Sequence, residues 1–170
     1  MPFLISQRQR VLIGACAALA GVLADHQHLP RVIYNPSASA PRGWYRVAPA
    51  QGLKVDDYVL VNLPGSIKRL ADQRHYLPAS VPLLKRIGAV AQQFVCGRGR
   101  SLWIDDHLAA IALTHDSAGR ELVAWHGCRG LGADELLLIS RDHIDSFDSR
   151  YFGPIRMGAV MGKVSPVWTW

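Results

Sequence analysis

PLLKRIGAV, residues 82–90, is the stretch of the sequence that decides the fold. It is a short apolar run that follows a proline and includes the β-branched residues Ile87 and Val90, which is typical of a β-strand. Lys85 stands in its middle, and lysine is rarely buried. The stretch therefore predicts a strand, in which Lys85 is either a buried base or a side chain that reaches solvent from a sheet edge.

Further strands are predicted on both sides of this stretch. They are short runs bounded by Pro and Gly, at residues 44–47, 58–63, 101–104, 136–140 and 159–164. In residues 66–77 apolar side chains recur at helical spacing, and Pro78 ends the pattern. Residues 96–132 carry more charge and histidine, and we expect a cap inserted between core strands. The sequence thus predicts a mainly β domain with one short helix.

The size and charge of the chain narrow the class of protein. Its 170 residues suit one domain, and a hydrophobic share of 49% suffices for a core. The net charge is +6, but the basic residues are scattered and form no run or stripe. We therefore expect no nucleic-acid partner, and a basic surface that can lie near anionic lipid.

A membrane-targeting segment is predicted before the β domain. Arg8 and Arg10 come before an uncharged apolar run at residues 11–24, a charge order that holds the N-terminus in the cytoplasm. As a helix this run spans about 21 Å, against a hydrocarbon core of roughly 30 Å. We expect residues 1–10 to be cytoplasmic and residues 11–29 to form a membrane anchor or signal segment (an apolar helix). Residues 30–170 are expected to fold on the opposite side of the membrane from the N-terminus.

Three segments carry polar groups suited to chemistry. Ser37 and Ser39 lie in the turn-rich run NPSASAPRGWYR, residues 35–46, where a hydroxyl can point into a cleft. Lys85 becomes a base near neutral pH only if burial lowers its pKa by about 3 units. Ser146 and Asp148 alternate in DSFDSRYFGP, residues 145–154, and can share a face or belong to a polar turn.

In this order the three segments resemble the type I signal peptidases, which use a serine–lysine dyad. The similarity is greatest to the conjugative-transfer branch, the TraF peptidases, whose Ser-x-Pro-x-Gly-x-Tyr-Arg signature is similar to residues 39–46. The resemblance implies a signal-peptidase-like antiparallel β domain. One residue, Ala40, separates serine from proline, and the Gly-Asp-Asn of the third box is replaced at residues 140–142. Both departures agree better with the TraF branch than with housekeeping signal peptidases.

The resemblance also implies roles for single residues. Ser39 takes the position of the nucleophile and Lys85 that of the general base. The Ser37 hydroxyl and the Ser39 N–H take the positions of the oxyanion donors. Ser146 takes the position of the serine that orients the lysine amine.

Two further pairs are predicted. By resemblance Asp148 is an acid needed for activity, and Arg150 is its structural partner near the site. Cys96 and Cys128 either form a disulfide, if the domain is exported, or remain free thiols. No metal or cofactor is implied.

The expected function is that of a serine endopeptidase at the periplasmic face of the inner membrane. By resemblance it processes, and also cyclises, a conjugative pilin precursor through an acyl-enzyme, with the precursor and inner-membrane lipid as partners. The alternatives are an ordinary signal-peptidase hydrolase and a non-catalytic periplasmic scaffold component of the conjugation channel.

Three other classes are disfavoured. A Ser–His–Asp hydrolase could use residues 141–143, but the Gly-x-Ser-x-Gly elbow is missing. His26 with His28, and His126 with Cys128, are pairs and not a four-ligand metal set. Autoproteases of the repressor type carry a helix-turn-helix, a pattern that we do not find in the sequence.

Overall fold

A computed structural model describes residues 31–141 and 143–170. The predicted cytoplasmic segment 1–10 and the apolar segment 11–29 lie outside the described residues, so the N-terminal helix stays a prediction. Within the described ranges no helix has the length and apolar character needed to cross a membrane.

The described residues form eleven strands, two short α-helices and one 3₁₀ turn. In chain order these are β1 (Val32–Asn35), β2 (Gly43–Ala48), β3 (Tyr58–Val61), α1 (Gly65–Gln73), β4 (Leu83–Ala89), β5 (Phe94–Arg98), β6 (Ser101–Ile104), β7 (His107–Ile111), β8 (Gly127–Gly130), β9 (Glu135–Leu138), α2 (Ser149–Phe152), β10 (Ile155–Arg156), the 3₁₀ turn (Met157–Ala159) and β11 (Val160–Thr169). The predicted mainly β fold with a short helix is confirmed.

The strands form two antiparallel sheets. The larger has the order β1-β2-β11-β3-β4-β9-β10, and the smaller the order β7-β6-β5-β8. β4, the strand that carries Lys85, lies inside the larger sheet between β3 and β9, with Lys85 opposite Val59. Lys85 is therefore not on an edge strand, and the reading in which it reaches solvent from a sheet edge is wrong.

The larger sheet is covered on both faces at β4 and β9. Ile87, Leu136 and Leu138 pack in one cluster with the apolar side of α1. Ala89 and Leu137 pack in a second cluster with the smaller sheet. Successive side chains of a strand point to opposite faces, so β4 and β9 supply both clusters. By the same alternation, Lys85 lies on the face of Leu83 and Ile87, beneath α1.

The smaller sheet occupies residues 94–130 and so overlaps most of residues 96–132, the segment expected to be a cap. Cys96 on β5 and Cys128 on β8 are opposite each other, and a disulfide joins them. The Trp125 N–H donates to the Arg150 carbonyl at 2.8 Å and so ties this sheet to α2. Gly153 adopts φ 70°, and a Cβ there would lie 2.4 Å from the Trp125 indole nitrogen, so only glycine fits.

Two element ends differ clearly from the prediction. α1 ends at Gln73 and not at residue 77, because His75 adopts the left-handed region at φ 57°. β11 continues to Thr169 with a register shift at Pro166. Proline is tolerated there because β3 pairs only with residues 160–164, which leaves β11 a single neighbour.

Strands β1, β5, β7, β8 and β10 and helix α2 were not predicted. β8 is GCRG and is exposed at all four positions, so it carries no apolar alternation to detect. β10 has two residues and α2 has four, which is about one period of the strand or helix pattern and too short for a repeat to show.

Candidate active site

The loop that carries Ser37 and Ser39 is organised by one buried asparagine. β1 ends at Asn35, whose Nδ2 donates to the carbonyls of Ser37, Ala40 and Pro41 at 2.9, 3.1 and 3.1 Å. Its Oδ1 accepts from the Ser37 N–H at 3.1 Å. The Tyr45 hydroxyl donates to the Pro41 carbonyl at 2.6 Å, and burial raises the pKa of Tyr45 to about 12, so it stays a donor. These bonds give the loop one conformation.

The two serine hydroxyls form a short chain. Ser37 Oγ donates to Asn35 Oδ1 at 3.0 Å, and Ser37 Oγ and Ser39 Oγ are 3.1 Å apart. Because the Ser37 proton goes to Asn35, the Ser39 hydroxyl is the donor of the pair. The Ser140 hydroxyl donates to the Ser39 carbonyl at 2.7 Å and so holds the loop against the end of β9.

Lys85 is a buried amine with one hydroxyl partner. Lys85 is only 2% exposed, and its Nζ donates to Ser146 Oγ at 2.5 Å. Burial lowers the pKa of Lys85 from 10.5 to about 8; the Asp148 carboxylate opposes this shift and the Arg150 guanidinium adds to it. A lysine with this pKa is half neutral near pH 8 and can accept a proton.

Asp148 and Arg150 form a fully buried ion pair behind this amine. Arg150 Nε donates to Asp148 Oδ1 at 2.8 Å, and the Ser140 N–H donates to Asp148 Oδ2 at 2.9 Å. The guanidinium also donates to the carbonyls of Ile144 and Ser146, at 2.6 and 2.9 Å. The pair therefore shapes the segment that presents Ser146 to Lys85.

Four of the residues predicted to form the site meet in one cavity of about 850 Å³: Ser37, Ser39, Lys85 and Ser146. Asp148, predicted to be catalytic, is buried with Arg150 behind the cavity wall and does not belong to its lining. In the described part of the chain no hydrogen bond joins Ser39 Oγ to Lys85 Nζ. Such contacts often tighten only when substrate is bound.

The groups considered for other chemistries lie elsewhere. His143 Nδ1 is 3.5 Å from Asp145 Oδ1 and does not line the cavity, while Asp142 is outside the described residues. Among residues 31–141 and 143–170, no three His, Cys, Asp or Glu side chains are placed to hold a metal ion.

Two residues that organise the site were not predicted, Asn35 and Ser140. Asn35 left a usable signal, because an asparagine before Pro-Ser is typical of a side chain that bonds to the following backbone. Ser140 left none, since its contact joins residues 101 positions apart.

The comparisons with known proteins agree with this geometry. Residues 5–170 match the family described as signal peptidase, peptidase S26. The chain therefore belongs to the S26 signal peptidase family, a family of serine peptidases, and the resemblance seen in the motifs is confirmed.

Among its relatives are proteins of conjugative transfer. The chain is 33% identical over 147 residues to a probable conjugal transfer protein TraF of Sinorhizobium fredii, covering 80% of this chain and 76% of the relative. It is 29% identical over 170 residues to a plasmid transfer protein TraF of Escherichia coli, covering 94% of each. A signal peptidase I of Enterococcus faecalis is 16% identical with a TM-score of 0.40, covering 68% of this chain and 99% of that one.

Proposed function

We propose that this chain is a serine endopeptidase of conjugative transfer in which Ser39 is the nucleophile and Lys85 the general base. The observation that carries the proposal is the buried Lys85 amine, whose pKa is lowered to about 8 and which lines the same cavity as the Ser39 hydroxyl. Burial makes the amine a usable base, and the Ser146 hydroxyl holds it in place.

The proposed mechanism uses the Lys85 amine and the two serine hydroxyls that line the cavity. As Ser39 Oγ attacks a peptide carbonyl, its proton passes to neutral Lys85 Nζ, which then protonates the leaving amine. The developing oxyanion takes hydrogen bonds from the Ser39 N–H and from the Ser37 hydroxyl once it turns away from Asn35. One such donor is typically worth about 3–4 kcal/mol in the transition state. The product is an ester of Ser39 with the N-terminal part of the substrate.

This acyl-enzyme has two possible fates. Attack by water releases a linear acid. Attack by an amine of the same substrate forms a new peptide bond and closes a ring, without net uptake of water. We propose a pilin precursor as the substrate and ring closure as the outcome. The relatives are transfer proteins by name, which supports conjugation as the setting.

The proposed place of action is the periplasmic face of the inner membrane. The apolar run at residues 11–24 immediately precedes the folded domain, with Arg8 and Arg10 before it. On the domain itself, Trp168 and Trp170 are 68% and 64% exposed. Tryptophan is enriched at membrane–water interfaces, so this surface supports inner-membrane lipid as a partner.

The test is mass spectrometry of pilin precursors co-expressed with the wild type and with variants. Ser39→Ala and Lys85→Ala remove the proposed dyad. Ser66→Ala and Lys68→Ala, on α1 and outside the cavity lining, are the matched controls. We expect the wild type and both controls to remove a C-terminal tail and the two dyad variants to leave the precursor intact.

The mass of the product distinguishes ring closure from hydrolysis. A product that has lost the tail and one further water is cyclic, and a product that has lost the tail alone comes from ordinary signal-peptidase hydrolysis. Equal processing by the wild type and both dyad variants would exclude the dyad and favour the scaffold alternative.

A further inference from the structure

The smaller sheet has one face packed against the larger sheet and a second face that is largely exposed. The packed face holds Val95, Leu102 and Ile104. Successive side chains of a strand point to opposite faces, so the alternate positions Phe94 and Trp103 belong to the second face. We call it the outer face; it consists of Phe94, Cys96, Trp103, Leu108, Ile111 and Cys128.

The outer face is apolar across all four strands. Phe94, Leu108 and Ile111 are 45%, 50% and 42% exposed, and Leu108 lies directly opposite Trp103 on the neighbouring strand. The Cys96–Cys128 disulfide continues the apolar surface from β5 to β8. A contiguous exposed apolar patch of this kind marks a surface of interaction.

The two ends of the outer face carry opposite charges. The β5–β6 turn holds the exposed Arg98 and Arg100, and the β6–β7 turn holds the exposed Asp105 and Asp106. Because β6 begins at the first turn and ends at the second, the two charged ends are separated by its length, about 13 Å. A face with a basic end, an apolar middle and an acidic end is complementary to a copy of itself turned end for end.

We propose that the outer face is the contact between two copies of this chain. A two-fold axis that runs across the strands, in the plane between the two faces, makes the same patch serve both protomers. It places the β5–β6 turn of one protomer over the β6–β7 turn of its partner, so the arginines lie opposite the aspartates at both ends. Trp103, on the inner strand β6, then lies near the centre of the contact.

A second copy fits this face better than lipid does. A surface that enters the bilayer would take Asp105 and Asp106 with it, and carboxylates are costly there. The exposed tryptophans proposed to contact lipid, Trp168 and Trp170, lie on or next to β11 in the larger sheet. The side chains of the outer face do not line the cavity, so the dimer leaves both candidate active sites open.

The size of the outer face predicts a weak and reversible dimer. Its strands are four or five residues long. At the usual spacing of strands the face measures roughly 15 Å by 15 Å, below the area of about 800 Å² per partner in a standard interface. We therefore expect a Kd in the micromolar range, which attachment to one membrane would assist by raising the effective concentration.

The experiment is sedimentation equilibrium of the full-length protein in density-matched detergent micelles. Leu108→Glu places a carboxylate on the apolar surface, and Val123→Glu is the matched control, because Val123 is 71% exposed and lies outside the strands of the smaller sheet. We expect Leu108→Glu to raise the Kd of the dimer at least ten-fold and Val123→Glu to leave it unchanged. If Leu108→Glu unfolds, Ile111→Glu poses the same question.

Two charge variants test the end-for-end arrangement. Arg98→Glu/Arg100→Glu makes both ends acidic. Asp105→Asn/Asp106→Lys makes both ends basic, and asparagine keeps an oxygen for the Phe94 N–H, which donates to Asp105 at 2.8 Å. Each variant alone should be monomeric, and an equimolar mixture of the two should dimerise.

Three results would overturn the proposal. The first is a wild type that stays monomeric at every concentration. The second is a Leu108→Glu protein that dimerises as the wild type does, which would place the contact on another surface. The third is a pair of charge variants that remain monomeric when mixed, or that each dimerise alone. None of these results depends on the proposed peptidase activity, since sedimentation measures mass and not cleavage.

Discussion

Lys85 is the residue on which burial and chemistry conflict. Burial destabilises the ammonium form of the Lys85 side chain. The folded protein buries it nevertheless, because β4 lies inside the larger sheet and that sheet is covered on both faces there. Because the pKa of Lys85 is lowered in the folded state, both the rate of peptide cleavage and the free energy of unfolding should depend on pH.

The rate should follow the neutral amine. We expect kcat/KM for peptide cleavage to rise with pH up to about 8 and then to level off, since the base works only when deprotonated. A pH profile between about pH 6 and pH 9 measures this. Lys68→Ala should keep the profile. A rate that is constant across this range would contradict the assignment of Lys85 as the base.

The stability should rise over a higher pH range. In the unfolded chain Lys85 has its ordinary pKa of 10.5, so between about 8 and 10.5 the unfolded state holds more protons than the folded one. The free energy of unfolding therefore increases with pH there, by roughly 1–2 kcal/mol between pH 8 and pH 9.5.

Lys85→Met removes this increase and should stabilise the protein at pH 7, where the lysine is charged in both states. Urea unfolding at several pH values is the measurement, with Lys68→Met as the control. A Lys85→Met protein that is less stable at pH 7 would show that the amine stabilises the fold and that the argument from burial is wrong.

Asn35 acts on the site through the backbone of the serine loop. Asn35→Ala removes five hydrogen bonds to residues 37–41, and we expect kcat to fall by about 100-fold, as is typical when a reacting group moves by about 1 Å. Steady-state kinetics are the readout. Asn62→Ala, which breaks one exposed bond to Lys68, is the control, and equal kinetics in the two variants would remove Asn35 from this role.

At the scale of elements, the smaller sheet depends on strands that bury little. β8 is exposed throughout, and it is held by pairing with β5 and by the Cys96–Cys128 disulfide. The disulfide closes a loop across a separation of 32 residues, so it restricts the unfolded chain appreciably.

The double variant Cys96→Ala/Cys128→Ala should therefore lose stability. The chain-entropy account predicts a loss of about 3–4 kcal/mol in the free energy of unfolding. Denaturant unfolding of both proteins, with and without reductant, measures it. Reductant should lower the wild type to the level of the variant and leave the variant unchanged. If reductant does not change the stability of the wild type, the disulfide does not support the sheet.

At the scale of the whole molecule, one edge of the larger sheet is aromatic and exposed. The Tyr34 ring lies 5.2 Å from that of Trp44 and 6.2 Å from that of Trp170, and the rings of Trp168 and Trp170 are 5.5 Å apart. Tyr34 also lines the cavity, so this edge adjoins the site. A monomer in water gains nothing from such a surface.

We expect this edge to contact lipid when the full-length protein is in vesicles. Brominated lipid chains should quench the emission of Trp168 and Trp170, and a Trp168→Ser/Trp170→Ser protein should show much weaker quenching. A Trp103→Phe protein is the control, since Trp103 lies in the smaller sheet. Equal quenching in all three would place the contact elsewhere.

The local pattern of apolar residues was sufficient to predict several of the strands. The strands around residues 44–47, 58–63 and 83–90 are confirmed. A strand buried on one face carries apolar side chains at a period of two, as β2 does, and a strand buried on both faces reads as a short apolar run, as β3 and β4 do. The end of α1 was not predictable, since a left-handed His75 leaves no mark on the apolar spacing. β8 was not predicted, because it is held in place by pairing with β5 and by a disulfide and not by burial of apolar side chains.

The sequence alone determined the mainly β class, the order of serine, lysine and acid along the chain, and membership of the signal peptidase family, because period and motif spacing are properties of neighbouring residues. Only the tertiary structure decided that Lys85 is buried, that Ser140 holds the Ser39 loop, that Asp148 lies behind the cavity and that α1 closes one side of it. Each of these depends on contacts between segments far apart in the chain, and the pKa of a lysine or the shape of a cavity is set by what those contacts exclude: water.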